Sequence, residues 1–300
     1  MARPAASLAP MLVAVGGIGV LTCMDGVIKL VSADFPTAQV VMLRYFFGIV
    51  SAALVFLAAG TPRPTLATIR PHGWRGVVVT VTAVSFFYAL ATLPLAVTMA
   101  LSFTSPILIA LFARLTLGER PSGSVALALA LGFGGVLVVL GDELSRSSSA
   151  SLLGALSALI SSVAYAVSMV ALKSRAARDP VPTIVLLQNI FACLFVSPVA
   201  ALHWVMPDGH QFLLFVIMGT LGTCGHLCMA WAYGRADASR LGVLEYTAFV
   251  WAVVIGLFVF AEVPSIGTLL GAALIVAGAT LATRAPKVAA LHEPEAEIGP

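Results

Sequence analysis

Charge is what this sequence has least of. Of its 300 residues only 10% are Asp, Glu, Lys or Arg, against about 25% in soluble globular chains, so there is too little polar surface to face water all round. The net charge of +3 comes without a basic helix or stripe, which excludes an obvious nucleic-acid surface. Cysteine is scarce too. Cys23, Cys193, Cys224 and Cys228 all lie inside apolar runs and read as small hydrophobes, not as a disulfide framework. Cys224 and Cys228 share a helical face with His226 opposite, so no metal site and no cofactor are expected. No G-x-x-x-x-G-K-[ST], G-x-S-x-G or H-E-x-x-H motif occurs, which argues against a nucleotide motor and against an intramembrane enzyme. No selectivity-filter loop or repeated ring of charge suggests a passive channel.

What is present is apolar: 60% hydrophobic side chains and a mean hydropathy of +1.05. A helix needs about 20 mostly apolar residues to cross a bilayer. Ten such runs are found, at 8–31, 38–59, 74–92, 96–116, 123–140, 151–172, 183–203, 211–232, 239–261 and 264–283. They are apolar on every side, unlike the alternating strands of a membrane β-barrel. The first exceeds the ~7–15-residue core of a signal peptide and reads as a transmembrane helix. The expected fold is therefore an all-α integral membrane protein with ten transmembrane helices.

Lys and Arg fall mostly on one face. Arg3, Arg63, Arg70, Arg75, Arg114, Arg120, Lys173, Arg175, Arg178, Arg235, Arg240, Arg284 and Lys287 lie on that side, while Lys29 and Arg146 lie on the other and Arg44 sits within a span. The positive-inside rule puts both termini in the cytoplasm.

The chain also resembles itself. At an offset of 143 residues, Leu117-Gly-Glu119-Arg-Pro121-Ser122 falls on Phe260-Ala-Glu262-Val-Pro264-Ser265, with Leu101, Phe103, Thr104 and Gly135 on Leu244, Tyr246, Thr247 and Gly278. At 144, Lys29, Pro36 and Arg44 fall on Lys173, Pro180 and Gln188. Five spans per unit is an odd number, so the second unit must be inverted, as in many secondary transporters with a site near the midplane. The expected organisation is a first repeat over 1–141, a second over 151–284 and a solvated tail over 285–300.

Lys29, Pro36 and Arg44, followed by ALSFTSPILIALFARLTLGERPS and a Gly-rich helix, with a second copy at VLEYTAFVWAVVIGLFVFAEVPS, resemble the EamA-type transporters of the bacterial drug/metabolite transporter superfamily. The resemblance covers roughly residues 8–283. It implies ten helices around a central cavity, location in the bacterial inner membrane and export of small metabolites, with the aromatic amino-acid exporters as the nearest branch. Gln188 stands where symmetry with Arg44 would place a basic residue.

Ionisable groups inside spans cost about 2.5–3.5 kcal/mol each on insertion scales, so they mark candidate binding residues. Asp25 and Lys29 are four apart on one helix face and able to pair. Arg44 can clamp a carboxylate bidentately. Alternatively these three form a structural ion network, or Lys29 snorkels outward. The mirrored set is Gln188, Asn189, His226 and Glu245, with His226 and Glu245 as candidate proton-coupling groups; His226 bonded to a helix carbonyl is the alternative. Tyr88, Phe86, Phe87, Trp231, Tyr246 and Trp251 either line a cavity for flat solutes or face lipid. Ser102, Thr104, Ser105 and Pro106 either form a cavity-lining bend or a packing kink. Glu119 and Glu262 read as helix-end anchors. The glycines at 132, 134, 135, 267, 271 and 278 serve close packing within a monomer or a homodimer face.

These readings converge on a secondary active or facilitative exporter of small metabolites, aromatic or other neutral amino acids foremost. Another metabolite or drug class is the alternative substrate. The lipid bilayer and a small-molecule substrate are the partners implied.

Overall fold

The structure, a computed structural model, describes residues 8–93, 98, 101–119, 121–144, 152–260 and 266–284. Arg3, Arg120, Arg146, Glu262, Pro264, Ser265 and the tail over 285–300 lie outside the described residues.

Regular structure among the described residues is all helical: α1 Ala9–Val31, α2 Thr37–Ala58, α3 Leu66–Thr92, α4 Ser105–Leu117, α5 Gly123–Leu144, α6 Leu152–Ala176, α7 Val181–Ala200, α8 Gly209–Tyr233, α9 Ala238–Leu244, α10 Thr247–Phe260 and α11 Ile266–Arg284, with a single 3-10 turn at Ala201–His203. Seven segments are long and apolar enough to cross a membrane: α1, α2, α3, α6, α7 with the turn that follows it, α8, and Ala238–Ile255. Ser105–Leu117, Gly123–Gly135 and Leu269–Leu281 are apolar but shorter. They fall within the fourth, fifth and tenth expected spans.

Local chemistry explains the helix ends. Pro36 and Pro180 precede α2 and α7 with nearly the same extended geometry (φ −57°, ψ 138° and φ −59°, ψ 136°), the conformation of a residue just outside a helix. The Thr65 side chain accepts from the backbone N–H of Thr68 at the head of α3. That cap starts the helix at Leu66, ahead of the apolar run at 74, because hydropathy reads the bilayer crossing and not the helix start. Asp208 and Gln211 form a reciprocal capping box at α8 (2.8 and 2.9 Å). Gly118, at φ +67°, ends α4 in a left-handed conformation that a side chain would resist.

The ninth expected span is broken. Tyr246 N–H donates to Val243 O (3.3 Å) and Ala248 N–H to Glu245 O (3.0 Å), so the chain tightens to a 3-10 turn between α9 and α10. The Thr247 hydroxyl donates to Leu244 O at 2.6 Å. An equivalent turn precedes α4: Thr104 N–H and Oγ1 both donate to Leu101 O (3.2 and 2.8 Å). Pro106 has no N–H to give Ser102 O, and the Ser105 hydroxyl donates there instead at 2.7 Å.

Helix pairing follows close approach at small residues. The principal pairs are α5–α11, α1–α8, α2–α7, α3–α6, α2–α8, α3–α7, α4–α6, α9–α4 and α1–α10. Helices in lipid gain little from hydrophobic burial against each other and rely on tight van der Waals packing. A Cβ on Gly17 of α1 would lie 2.7 Å from the Cβ of Cys228 on α8. On the α5–α11 seam, a Cβ on Gly135 would lie 2.7 Å from Gly271 O, and one on Gly278 2.8 Å from Ala128 O. These glycines pack within the chain. Gly134, by contrast, faces open space.

The seam gives a stability test. Glycine to alanine within a helix ordinarily stabilises by about 1 kcal/mol. Gly135→Ala and Gly278→Ala should instead destabilise by about 1–3 kcal/mol through overpacking, while Gly134→Ala should be neutral or stabilising. Thermal unfolding of the three purified variants in detergent measures the difference.

Candidate functional site

Residues of α1, α2, α3, α6, α7, α8, the start of α4 and the α9–α10 break line a cavity of ≈ 190 Å³, below the ~300–1,000 Å³ of drug-sized sites. Nine of the residues singled out from the sequence line it: Asp25, Arg44, Phe86, Phe87, Ser102, Ser105, Gln188, His226 and Glu245.

Arg44 supplies the cation. It is 3% exposed, its guanidinium lies 4.1 Å from the centroid of the Tyr45 ring, and its Nη1 is buried without a hydrogen-bond partner. Gly222 makes the room, since a Cβ there would sit 2.7 Å from Arg44 Nη2. His226 Nδ1 lies 2.7 Å from Gly222 O and 3.2 Å from Arg44 Nη2. A carbonyl only accepts, so the shorter contact places the proton on Nδ1. That nitrogen then has no lone pair for Arg44, whose donors remain available, and Nε2 is an acceptor. The sequence reading grouped His226 with the opposite cluster from Arg44; the structure puts the two side by side.

Two carboxylates balance this cation. Asp25 lines the cavity from α1, and Glu245 lines it from the α9–α10 break, where the Tyr165 hydroxyl donates to its Oε1 at 2.9 Å. The helix break therefore has a consequence for the site, because it turns the Glu245 side chain toward α6.

Apart from the Gln188 amide, the rest of the polar wall is hydroxyl. Ser161 donates to Thr82 O (3.0 Å), Ser162 to Ala158 O (3.0 Å), Thr22 to Ile18 O (2.9 Å), Thr82 to Val78 O (2.9 Å) and Ser102 to Thr98 O (2.8 Å). With their hydrogens directed into the backbone, these oxygens offer lone pairs to the cavity. Phe86, Phe87 and Phe103 provide a flat apolar side. Sequence reasoning missed Tyr165, Ser161, Ser162 and Ser168, although their spacing puts a polar stripe on one face of α6. It also missed Arg75, which counts there only toward the basic flank of the third apolar run. The side chain is 1% exposed, and its Nη2 donates to Gln188 Oε1 at 2.6 Å.

The remaining candidates sit elsewhere. Lys29 is exposed, and no ion pair joins it to Asp25 among the described residues; it has turned outward while Asp25 faces the cavity. Tyr88 is half-buried away from the cavity, and Thr104 directs its hydroxyl to Leu101 O. Asn189 donates to Val185 O (2.8 Å) and packs against Gly48. Trp251 donates from Nε1 to Val15 O (3.1 Å) and lies on Gly19, tying α10 to α1. Tyr246 packs on Gly132 and Phe103, and Trp231 carries the Arg235 guanidinium on its ring. Glu119 accepts from the backbone N–H groups of Ala238 (2.9 Å) and Ser239 (3.0 Å) at the head of α9, so it is a helix anchor.

The EamA-like transporter family matches this chain twice, over residues 10–141 and 152–284. A pseudopaline exporter, CntI, of Pseudomonas aeruginosa is 28% identical over 88% of this chain and 92% of its own length. A riboflavin transporter of Rhizobium johnstonii is 29% identical over 83% and 82%. An S-adenosylmethionine uptake transporter of Rickettsia felis is 24% identical over 84% of both. Among solved structures that share the fold, a crystal structure superposes with a TM-score of 0.79 at 24% identity over 93% of this chain and 99% of that one. With the family matched along nearly the whole of the described helical region, the chain belongs to the EamA-like transporter family.

Proposed function

We propose that the chain is a bacterial inner-membrane carrier for neutral amino acids, aromatic ones foremost, working by alternating access between two inverted five-helix units with both termini in the cytoplasm. The observation that carries the substrate is the convergence of Arg44, Asp25 and Glu245 on one cavity of ≈ 190 Å³. A zwitterion fits that polarity. Its carboxylate meets the unpaired guanidinium donors of Arg44, its ammonium meets Asp25, Glu245 and the hydroxyl oxygens, and an aromatic side chain lies against Phe86, Phe87 and Phe103. The relatives, whose names give export in one case and uptake in another, carry different solutes. A carrier moving its solute down a gradient exports what the cell accumulates.

Several observations support the paired units. The family matches the chain in two successive stretches. The 3-10 turn with a threonine hydroxyl on a leucine carbonyl occurs at Leu101–Thr104 and again at Leu244–Thr247. The principal helix pairings also map onto one another when every span is exchanged for the one five later. Under that exchange α1–α8 becomes α6–α3, α2–α8 becomes α7–α3 and α4–α6 becomes the α9–α10 segment on α1, while α2–α7 and α5–α11 map onto themselves. Two units of near-equal energy can exchange conformations and open the cavity to either side.

Orientation is tested by single cysteines on a background without the four native ones. In intact cells an impermeant maleimide should label Met206→Cys and spare Arg63→Cys until the membrane is opened. Labelling of both from the same side would contradict the arrangement. For the substrate, proteoliposomes loaded with unlabelled phenylalanine should accumulate labelled phenylalanine by counterflow. Arg44→Ala should raise KM about ten-fold or more, the loss expected for a charge-assisted hydrogen bond, while Glu119→Gln keeps KM near wild type. Equal effects of the two substitutions in monodisperse protein would reject Arg44 as the carboxylate partner.

A further inference from the structure

We propose that Arg75 is a positioning residue for substrate selection: it orients the Gln188 side chain so that an amide N–H faces the cavity as a second seat for a substrate carboxylate. This rests on the amino-acid reading above and adds the group that reads the acid end from the α7 side.

The orientation follows from donor and acceptor chemistry. A guanidinium carries donors only. The 2.6 Å contact from Arg75 Nη2 therefore fixes which end of the Gln188 amide is oxygen, an assignment an isolated glutamine would leave open. The NH₂ group must then point the other way. Gln188 lines the cavity, and its Nε2 has no hydrogen-bond acceptor among the described residues. Donors are the scarce commodity on this wall. Thr22, Thr82, Ser102, Ser105, Ser161 and Ser162 direct their hydrogens to carbonyl oxygens, Tyr165 donates to Glu245, and His226 uses Nδ1 on Gly222 O. Ser168 Oγ is buried without a partner. For a carboxylate, which only accepts, Arg44 offers the charged donor and Gln188 the amide donor, beside the hydroxyls of Tyr45 and Ser168, which make no hydrogen bond among the described residues.

Arg75 itself is built for this task more than for stability. It lies on α3 one turn before Val79, on the stripe that continues along the cavity through Ala83. Its Nε and Nη1 are buried with no partner. A single hydrogen bond does not compensate a guanidinium for leaving water, and ionisable groups retained within a membrane bundle mark substrate pathways. Gln188 falls on Arg44 in the repeat, so the cation absent at that position is supplied from α3, behind a neutral amide.

Gln188→Glu is the decisive substitution. It keeps an oxygen on Arg75, gives that guanidinium a counter-charge and replaces the cavity-facing donor by an acceptor. Uptake into proteoliposomes is measured for phenylalanine and for phenylalaninamide, whose terminal NH₂ is itself a donor. We expect KM for phenylalanine to rise about ten-fold or more, while phenylalaninamide gains affinity relative to wild type. Arg75→Met should raise KM for phenylalanine at retained Vmax, and Arg75→Lys should recover most of the loss by restoring a donor to the glutamine oxygen. Parallel shifts for both solutes in Gln188→Glu, or lost Vmax at unchanged KM in Arg75→Met, would overturn the assignment. Wild-type vesicles that take up neither solute would overturn the amino-acid reading and this one with it.

Discussion

A guanidinium held inside a lipid-embedded bundle must find its solvation in the protein, and the architecture around Arg44 follows from that requirement. Water is absent from the hydrocarbon layer, so every polar group that stays there needs a partner or a reason. Tyr45 offers its ring face to Arg44, Gly222 gives up a side chain to admit it, and His226 is turned by its own helix carbonyl so that it does not compete for a donor. What is left over is an unfilled valence in the middle of the fold. The carboxylates of Asp25 and Glu245 enter the same space without a salt bridge to Arg44 among the described residues. Charges of both signs are kept close but unpaired, an arrangement that has little value for stability and considerable value for binding something of matching polarity.

The bundle divides its labour. Among the described residues the α5–α11 pair contributes none to the cavity wall, and its glycines bring backbone against backbone. The helices that line the cavity also approach at glycines, Gly17 against Gly225 O and Gly219 against Gly48 N, and add hydroxyl-to-carbonyl bonds and two tightened turns. Within a helix, 3-10 turns are frequent at functional hinges, and both of these lie beside the cavity.

Membrane helices were legible in the sequence because the bilayer imposes one demand on every crossing segment, a run of apolar residues of fixed length. Hydropathy could not reveal the break at Glu245–Tyr246, since both fragments remain apolar and only the hydrogen-bond pattern changes. Intramembrane charge marks Asp25, Arg44 and Glu245, which line one cavity, but not which way each side chain turns. Lys29 sits one turn from Asp25 and faces outward, because a long stem lets an ammonium reach the interface. Arg75 was hidden by its position at the head of a span, where it is indistinguishable in sequence from the basic residues that flank helices. The serines of α6 were hidden by chemistry, since a hydroxyl in a helix can bond its own backbone and pack as a small residue. Trp251 and Asn189 look like site residues by type, yet bind helix to helix.

The hydroxyl wall has a last consequence, for the solvent that occupies the cavity between solutes. Where the wall presents hydroxyl lone pairs, a water molecule must turn its hydrogens toward them and leave its own oxygen to the few donors elsewhere in the cavity. A group that is all hydrogens and no lone pair, such as an ammonium, matches those oxygens better than water does. The hydroxyl side of the cavity is therefore complementary to a hydrogen-bond donor, in the way the Arg44 side is complementary to an acceptor.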